Sequence, residues 1–108
     1  MSYYPIELDK TRNLRYNMRA IDLIETKFKK PLMDIEGIRD GNLTMREYAT
    51  LIWAGLAHED KGLTPDKIMD LIDEHSTLKE VSKEMWSAFN EMFAVEDGKE
   101  EEEEEKNK

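Results

Sequence analysis

The longest apolar segment of the chain lies between residues 40 and 60 and has the spacing of a helix. Five of its residues recur at intervals of three and four and so share one helix face: Tyr48, Leu51, Ile52, Gly55 and Leu56. Ala49, Trp53 and Ala57 widen this face. Such a helix cannot lie on the surface with one side in water, so other elements must cover it on at least two sides. The pattern therefore predicts a central helix.

The start of this helix is marked by a capping pattern. Thr44 suits the N-cap position, because its hydroxyl can accept a hydrogen bond from a free backbone N–H of the first turn, and Glu47 completes a capping box. Leu43 and Tyr48 occupy the two positions of a hydrophobic staple around the cap. We therefore expect the helix to begin directly after Thr44.

Residues 3–16 contain short alternating segments on either side of a polar turn at residues 9–12. In a two-stranded hairpin, one face would carry the apolar side chains Ile6, Leu8, Leu14 and Tyr16. Two strands alone are marginally stable in water, so the hairpin would have to pack against the helices. An extended arm leading into a longer first helix is the alternative. The pattern favours the hairpin.

A first helix is predicted from Asn17, a suitable N-cap, to about Lys29, because Pro31 disfavours helix at the residue before it. Its inward stripe consists of Ala20, Ile21, Ile24 and Phe28. A short turn of helix is predicted after Pro31, and Gly37 is expected to stop it.

Two helices follow the central one, and each begins with a threonine cap. Thr64 caps a helix over residues 65–74, in which Pro65 takes the first position, where its missing N–H costs nothing. Thr77 and Glu80 form a capping box for the last helix. That helix has the most regular apolar stripe in the chain: Leu78, Val81, Met85, Ala88, Phe89 and Met92.

These elements predict a mainly α protein, a compact bundle of four to five short helices with a small N-terminal β-hairpin. Residues 1–95 are expected to form a single domain. After residue 95 the chain is dominated by acidic residues and lysine, and six consecutive glutamates repel one another with no apolar surface to bury. Residues 96–108 are therefore predicted to be a disordered acidic tail.

The net charge of −9 is unevenly distributed. Residues 96–108 hold eight acids and three lysines, so −5 lies in the tail and −4 in the body. A mildly acidic body does not suit binding to a phosphate backbone, so no nucleic acid is expected. The lack of cysteine excludes disulfides and thiolate metal sites. No apolar run approaches the length of a membrane span, and a soluble cytoplasmic protein is expected.

Residues 36–47 reproduce only the second half of an EF-hand calcium loop. Gly41 stands at its sixth position and Glu47 at its twelfth. The first position is Glu36 instead of aspartate, and Ile38 at the third offers no oxygen, so a calcium ion would lack ligands. We therefore interpret these residues as a turn and a helix cap, with no metal site.

No arrangement of residues indicates catalysis. His58 and His75 lie near predicted helix C-termini, and both are interpreted as surface residues. In a helix, the consecutive residues His58, Glu59 and Asp60 would not point the same way. The chain has no recognisable nucleophile motif and no glycine-rich phosphate loop. We expect no enzyme and no cofactor.

The last helix has more methionine and aromatic side chains than a small core requires. Ordinary core packing is one explanation. The alternative is an apolar contact surface for another chain, on which flexible methionines adapt to the partner. The residues predicted for that surface are Met85, Trp86, Phe89, Met92 and Phe93.

Several short motifs resemble the small tail assembly chaperones of long-tailed phages, which are viral proteins also found in prophages and gene-transfer agents. The most specific segment is Trp-Ala-Gly-Leu-Ala-His-Glu-Asp at 53–60, followed by Leu-Thr-Pro at 63–65. Pro-Ile-Glu-Leu-Asp-Lys-Thr-Arg-Asn-Leu-Arg at 5–15 and Ala-Ile-x-x-Ile-Glu at 20–25 add to the resemblance. The similarity extends over residues 5–93, and the acidic tail is not part of it.

The resemblance implies a non-enzymatic protein in the cytoplasm of the bacterial host. Such chaperones coat the long helical tape measure protein and recruit tail tube subunits during phage tail assembly, so the tape measure and tail tube proteins are the implied partners. Self-association is left open. The alternative function is that of an acidic regulatory or DNA-mimic protein that occupies a basic site on a host protein.

Overall fold

The computed structural model describes the backbone of residues 4–106 and the side chains of residues 4–92. Within these limits the protein is mainly helical, as predicted. Its elements, in chain order, are β1 (Tyr4–Glu7), β2 (Thr11–Leu14), α1 (Met18–Phe28), a 3₁₀ turn (Leu32–Asp34), α2 (Glu36–Asp40), α3 (Met45–Leu56), α4 (Pro65–His75) and α5 (Leu78–Lys106). None of the helices within this part of the chain combines the length and apolar character that a membrane span needs.

The predicted N-terminal hairpin is confirmed. β1 and β2 pair in antiparallel register, with Tyr4 opposite Leu14 and Glu7 opposite Thr11. The four side chains predicted on its inner face are all buried: Ile6, Leu8, Leu14 and Tyr16. This face packs against α3 and α5, which cover the two strands and stabilise them. The alternative of an extended arm is therefore wrong.

α3 is the central helix, and its start follows the predicted cap. The Glu47 backbone N–H donates to Thr44 Oγ1 over 3.1 Å, and the Thr44 N–H donates to Glu47 Oε1 over 2.9 Å, which together form the capping box. Leu51, Ile52 and Leu56 are completely buried. α3 packs against α1, α4, α5 and β2, so it is covered on several sides.

Gly55 allows the hairpin to approach α3 closely. A Cβ atom at this position would lie 2.8 Å from Tyr16 Cζ and 2.9 Å from Leu14 Cδ2. The Arg15 N–H donates to the Gly55 carbonyl over 2.9 Å, and the Tyr16 hydroxyl donates to the Leu51 carbonyl over 2.7 Å. These contacts place the end of β2 directly on the α3 backbone.

α1 and α4 begin at the predicted caps. Asn17 Oδ1 accepts from the Ala20 N–H, and Thr64 Oγ1 accepts from the Lys67 N–H. α1 ends with Lys29 in a left-handed conformation, φ 60°. In the predicted α1 stripe, Ala20 and Ile24 are buried, whereas Ile21 and Phe28 are half-buried.

The segment after α1 differs from the prediction. The 3₁₀ turn and α2 are separate elements, and Gly37 lies inside α2 instead of ending a helix. A Cβ at Gly37 would lie 2.6 Å from Leu43 Cδ2, so glycine is needed there for packing. Gly41, at φ 73°, ends α2 in the left-handed conformation that glycine adopts without strain.

α5 begins as expected, because the Glu80 N–H donates to Thr77 Oγ1 over 3.2 Å. Its backbone is helical to Lys106, so the helix continues past residue 95, the predicted end of the domain. Glutamate and lysine have favourable helix propensities, so this composition is compatible with a helical backbone. The side chains after Met92 lie outside the described residues. The division into a domain over 1–95 and a disordered tail over 96–108 stays a prediction.

Candidate partner-binding surfaces

Arg12 ties the hairpin to the turn that follows α3. Its side chain is only 5% exposed. Its Nε and Nη2 donate to the two carboxylate oxygens of Asp9 over 2.9 and 3.0 Å, and its Nη1 donates to Asp60 Oδ2 over 3.3 Å. Such charge-assisted bonds, one of them bidentate, hold a guanidinium in a fixed orientation. The arrangement is a structural ion triad.

The electrostatics of this triad keep all three groups charged. The hydrogen bond from Arg12 lowers the pKa of Asp9. The Gly62 backbone N–H and then Arg12 lower the pKa of Asp60. In return, Asp9 and, more weakly, Asp60 raise the pKa of Arg12 despite its burial. A guanidinium so engaged is not available to a partner molecule.

The residues before Asp60 also contact the hairpin. The Asn13 N–H lies 3.3 Å from both carboxylate oxygens of Glu59, and His58 Nε2 lies 2.8 Å from the Asn13 carbonyl oxygen. Because a carbonyl oxygen can only accept, Nε2 carries the proton in this contact. His58 is exposed, as predicted, but its role is to bind the hairpin.

His58 and Glu59 were predicted to lie near the end of the central helix, with consecutive helical residues pointing in different directions. α3 instead ends at Leu56, and residues 57–60 form a turn in which the side chains of His58, Glu59 and Asp60 all reach β2. No pattern in the sequence identified this contact, because its partners are 45 to 48 residues apart.

Two of the residues predicted for a partner surface belong to the core instead. Met85 is 0% and Phe89 1% exposed. The Phe89 ring stacks on Tyr16 with 4.4 Å between the ring centroids and an interplanar angle of 12°. Tyr16 thus covers Phe89. For these two side chains, ordinary core packing, one of the two explanations left open by the sequence, is the one that the burial supports.

Trp86 and Met92 are half-buried, and the Phe93 side chain lies outside the described residues. Trp86 meets Tyr48 of α3 edge to face, with 6.4 Å between the centroids, and its Nε1 donates to the Tyr48 hydroxyl over 3.5 Å. Met45, three residues before Tyr48 on the same helix face, is 57% exposed. We name Met45, Tyr48 and Trp86 the Trp86 patch. It is an accessible apolar surface.

A second feature, which sequence reasoning missed, is a cleft of about 370 Å³ between α1 and the end of α3. We name it the Trp53 cleft. Its lining is mostly apolar and includes Ala20, Leu23, Trp53, Ala54, Ala57 and Leu63. Trp53 was predicted to widen the face of the central helix, but the exposure of part of its ring to this cleft was not predicted.

The position of Trp53 is defined by two contacts. Its Nε1 donates to the Leu63 carbonyl over 3.0 Å. The Lys27 ammonium lies 5.5 Å from the centre of its ring, within the range of a cation–π interaction. Trp53 is therefore held in place and forms a preformed wall of the cleft.

Two cationic side chains line the Trp53 cleft and are free to pair with a ligand. Arg19 and Lys61 line it, and neither forms an ion pair with another described side chain. Asp60, which also lines the cleft, is already bound by Arg12 and by the Gly62 N–H. The free charge at the mouth is therefore cationic.

The residues that resemble a calcium loop form the end of one helix and the cap of the next. Gly41 ends α2, and the Glu47 side chain caps α3. Among the described residues, no three His, Asp or Glu side chains lie close enough together to hold a metal ion. His75, like His58, is exposed, and its Nε2 lies 3.6 Å from Glu74 Oε1.

The chain was compared with protein-family models, with curated proteins and with solved structures, and none of the three comparisons found a match.

Proposed function

We propose that this protein is a non-enzymatic tail assembly chaperone of a phage or prophage, which binds the tape measure protein and helps to recruit tail tube subunits. The observation that carries the proposal is the set of short motifs that resemble this family, from Pro-Ile-Glu-Leu at 5–8 to Leu-Ile-Asp at 71–73. It implies the cytoplasm of the bacterial host as the site of action.

The contacts made by these motifs agree with a structural role for them. Arg12 and Asn13, in the motif at 5–15, contact the side chains of Asp60, Glu59 and His58, in the motif at 53–60. Trp53 Nε1 donates to the carbonyl of Leu63, the first residue of the motif at 63–65. The most specific residues of the resemblance therefore join the hairpin, α3 and α4. A family recognised by such residues shares a scaffold, so its function is expected to reside in the surfaces of that scaffold.

The Trp86 patch is the surface that we assign to the partner. It combines an exposed, flexible Met45 with two half-buried aromatic rings, a composition that adapts to varied apolar contacts. A tape measure protein is long, helical and partly apolar before the tube surrounds it. Binding of its apolar face to this patch would keep it soluble.

The proposal is tested by co-expression with a phage tape measure protein from the same genome. We expect a complex on size-exclusion chromatography and a larger soluble fraction of the tape measure protein. If its solubility is unchanged and no complex elutes, the chaperone function is excluded.

The assignment of the patch is tested separately with Met45→Lys. This substitution places a charge on the apolar surface and is expected to weaken the complex, while folding is preserved because the side chain is exposed. Met33→Lys is the matched control, since Met33 is 53% exposed and lies in the 3₁₀ turn, outside the patch. Equal losses for both variants would contradict the assignment.

A second candidate function is an acidic regulatory or DNA-mimic protein, and one observation favours it. Asp66, Asp70 and Asp73 are exposed on α4 at i, i+4 and i+7, and so form an acidic stripe. Binding to a basic protein through this stripe and the acidic tail would weaken steeply with salt. Apolar binding through the Trp86 patch would largely persist in salt, so the salt dependence of the isolated complex separates the two functions.

A further inference from the structure

The Trp53 cleft is lined in part by the most basic segment of an acidic chain. Residues 10–30 contain seven Lys or Arg and two Asp or Glu, a net charge of +5, although the whole chain carries −9. This segment forms β2, α1 and the first wall of the cleft. Arg12 is bound by Asp9 and Asp60, but Arg19 of this segment forms no ion pair with another described side chain and, with Lys61, can attract an anionic ligand to the cleft.

The α1 wall of the cleft is built for both apolar and anionic contact. Arg19, Leu23 and Lys27 follow one another at i, i+4 and i+8, so they run along one helix face. Leu23 and Arg19 line the cleft, and Lys27 lies over the Trp53 ring. The first turn of α1 contains no acidic residue to neutralise the helix N-terminus.

One segment of the chain itself has the matching composition. Residues 93–108 begin with Phe-Ala-Val and continue with eight acids and three lysines, a net charge of −5. An apolar beginning suits the floor of the cleft, and the acids suit its cationic mouth.

We propose that the Trp53 cleft binds residues 93–108 of a second copy of this chain. The apolar residues at the start of the segment fill the space beside Trp53, and its carboxylates pair with Arg19 and Lys61. A second copy is the source because the α5 backbone is helical as far as Lys106. At about 1.5 Å per residue, the helix from residue 92 to residue 106 extends about 20 Å along its axis, and a continuous helix cannot turn back into the cleft of its own chain.

This interaction does not depend on the chaperone function, since it concerns only copies of the same chain. In this interaction the acidic segment is the ligand of the cleft. The segment lies outside the family resemblance. It also makes the cleft unavailable to other ligands at high protein concentration.

The proposal is tested by sedimentation equilibrium of the full-length chain at low salt over a range of concentrations. We expect the mass to rise above the 12.7 kDa of the monomer as concentration increases, and to return to it in 0.5 M NaCl, as expected for exposed charges on the order of a Debye length apart. A synthetic peptide of residues 93–108 is expected to compete and to restore the monomer.

The decisive variant is the double substitution Arg19→Glu/Lys61→Glu, which should weaken self-association by about tenfold or more. Lys79→Glu/Lys83→Glu is the matched control, because it makes the same change of charge at exposed positions of α5 that do not line the cleft. Circular dichroism and thermal melting check that both variants are folded.

A charge exchange completes the test. A chain with Glu101, Glu103 and Glu105 changed to Lys should not associate with itself, but should associate when mixed with the Arg19→Glu/Lys61→Glu chain. The proposal is overturned if the full-length chain stays at the monomer mass at every concentration, or if both double variants lose self-association equally.

Discussion

The Arg12 guanidinium lies 3.3 Å from the Asp60 carboxylate, which is 48 residues further along the chain. Together with the bidentate bond to Asp9, this contact connects the hairpin to the end of the central helix. A guanidinium that is almost fully buried is stable only while its partners compensate for the lost water. The contact therefore makes the packing of the hairpin on α3 sensitive to single substitutions and to pH.

Arg12→Met should destabilise the protein far more than Arg46→Met. Methionine retains the apolar packing of Arg12 but removes three part-buried hydrogen bonds, and we expect a loss of about 2 kcal/mol in the free energy of unfolding. Arg46 forms an exposed ion pair with Asp66, so its replacement should change that energy by less than about 0.5 kcal/mol. Urea denaturation of both variants at pH 7 measures the difference, and equal effects would contradict a structural role for the triad.

The same triad predicts acid sensitivity. Arg12 and the Gly62 N–H lower the pKa of Asp9 and Asp60 in the folded state. An aspartate whose pKa is lowered in the folded state stabilises that state at any pH above the pKa of the unfolded chain, about 3.9. This stabilisation is lost as the pH falls through the pKa of the folded state. The free energy of unfolding should thus decrease below about pH 4. In Arg12→Met this decrease should be smaller, which urea titrations between pH 2 and pH 5 will measure.

Tyr16 predicts a second pH dependence, at the alkaline end. Burial raises the pKa of its hydroxyl well above the ordinary value. An unfolded tyrosine releases its proton near pH 10, whereas folded Tyr16 retains it. The stabilisation of the folded state by the buried hydroxyl is therefore present below pH 10 and is lost as the pH rises above it. Tyr16→Phe should flatten the alkaline limb of the stability profile. At pH 7 it should cost about 1 kcal/mol, because the hydrogen bond to the Leu51 carbonyl is lost.

Gly55→Ala should be destabilising even though alanine favours helix by about 1 kcal/mol. The new methyl group would lie 2.8 Å from the buried Tyr16 ring, and overpacking of this kind typically costs about 1–3 kcal/mol. We expect a net loss of about 1–2 kcal/mol in thermal or urea unfolding. Gly62→Ala, whose Cβ would meet only the Asp60 carboxylate at 3.3 Å, is the comparison and should be better tolerated.

Met85→Ala and Met45→Ala distinguish core from surface on the two neighbouring helices. Met85 is completely buried, so its truncation should cost about 2–4 kcal/mol in the free energy of unfolding. Met45 is 57% exposed, and its truncation should change that energy by less than about 0.5 kcal/mol. Similar effects in a denaturation experiment would show that one of these side chains is placed wrongly.

The amino-acid sequence by itself determined the local elements of this fold. The side chains of Thr44, Thr64 and Asn17 each accept a hydrogen bond from the backbone N–H three residues later, so these helix starts follow from neighbouring residues alone. The alternation that predicts a buried hairpin face is equally local. These features are visible in sequence because the atoms concerned are close along the chain.

The tertiary structure alone decided which side chains the elements hide and which they expose. Met85 and Phe89 are buried because the hairpin folds over α5, and the Trp53 cleft exists because α1 and the end of α3 leave a gap. The buried Arg12 pairs with Asp60, 48 residues away, a contact that the helical pattern did not reveal. Such contacts depend on the relative placement of distant elements, and hydrophobic spacing along one segment contains no information about that placement.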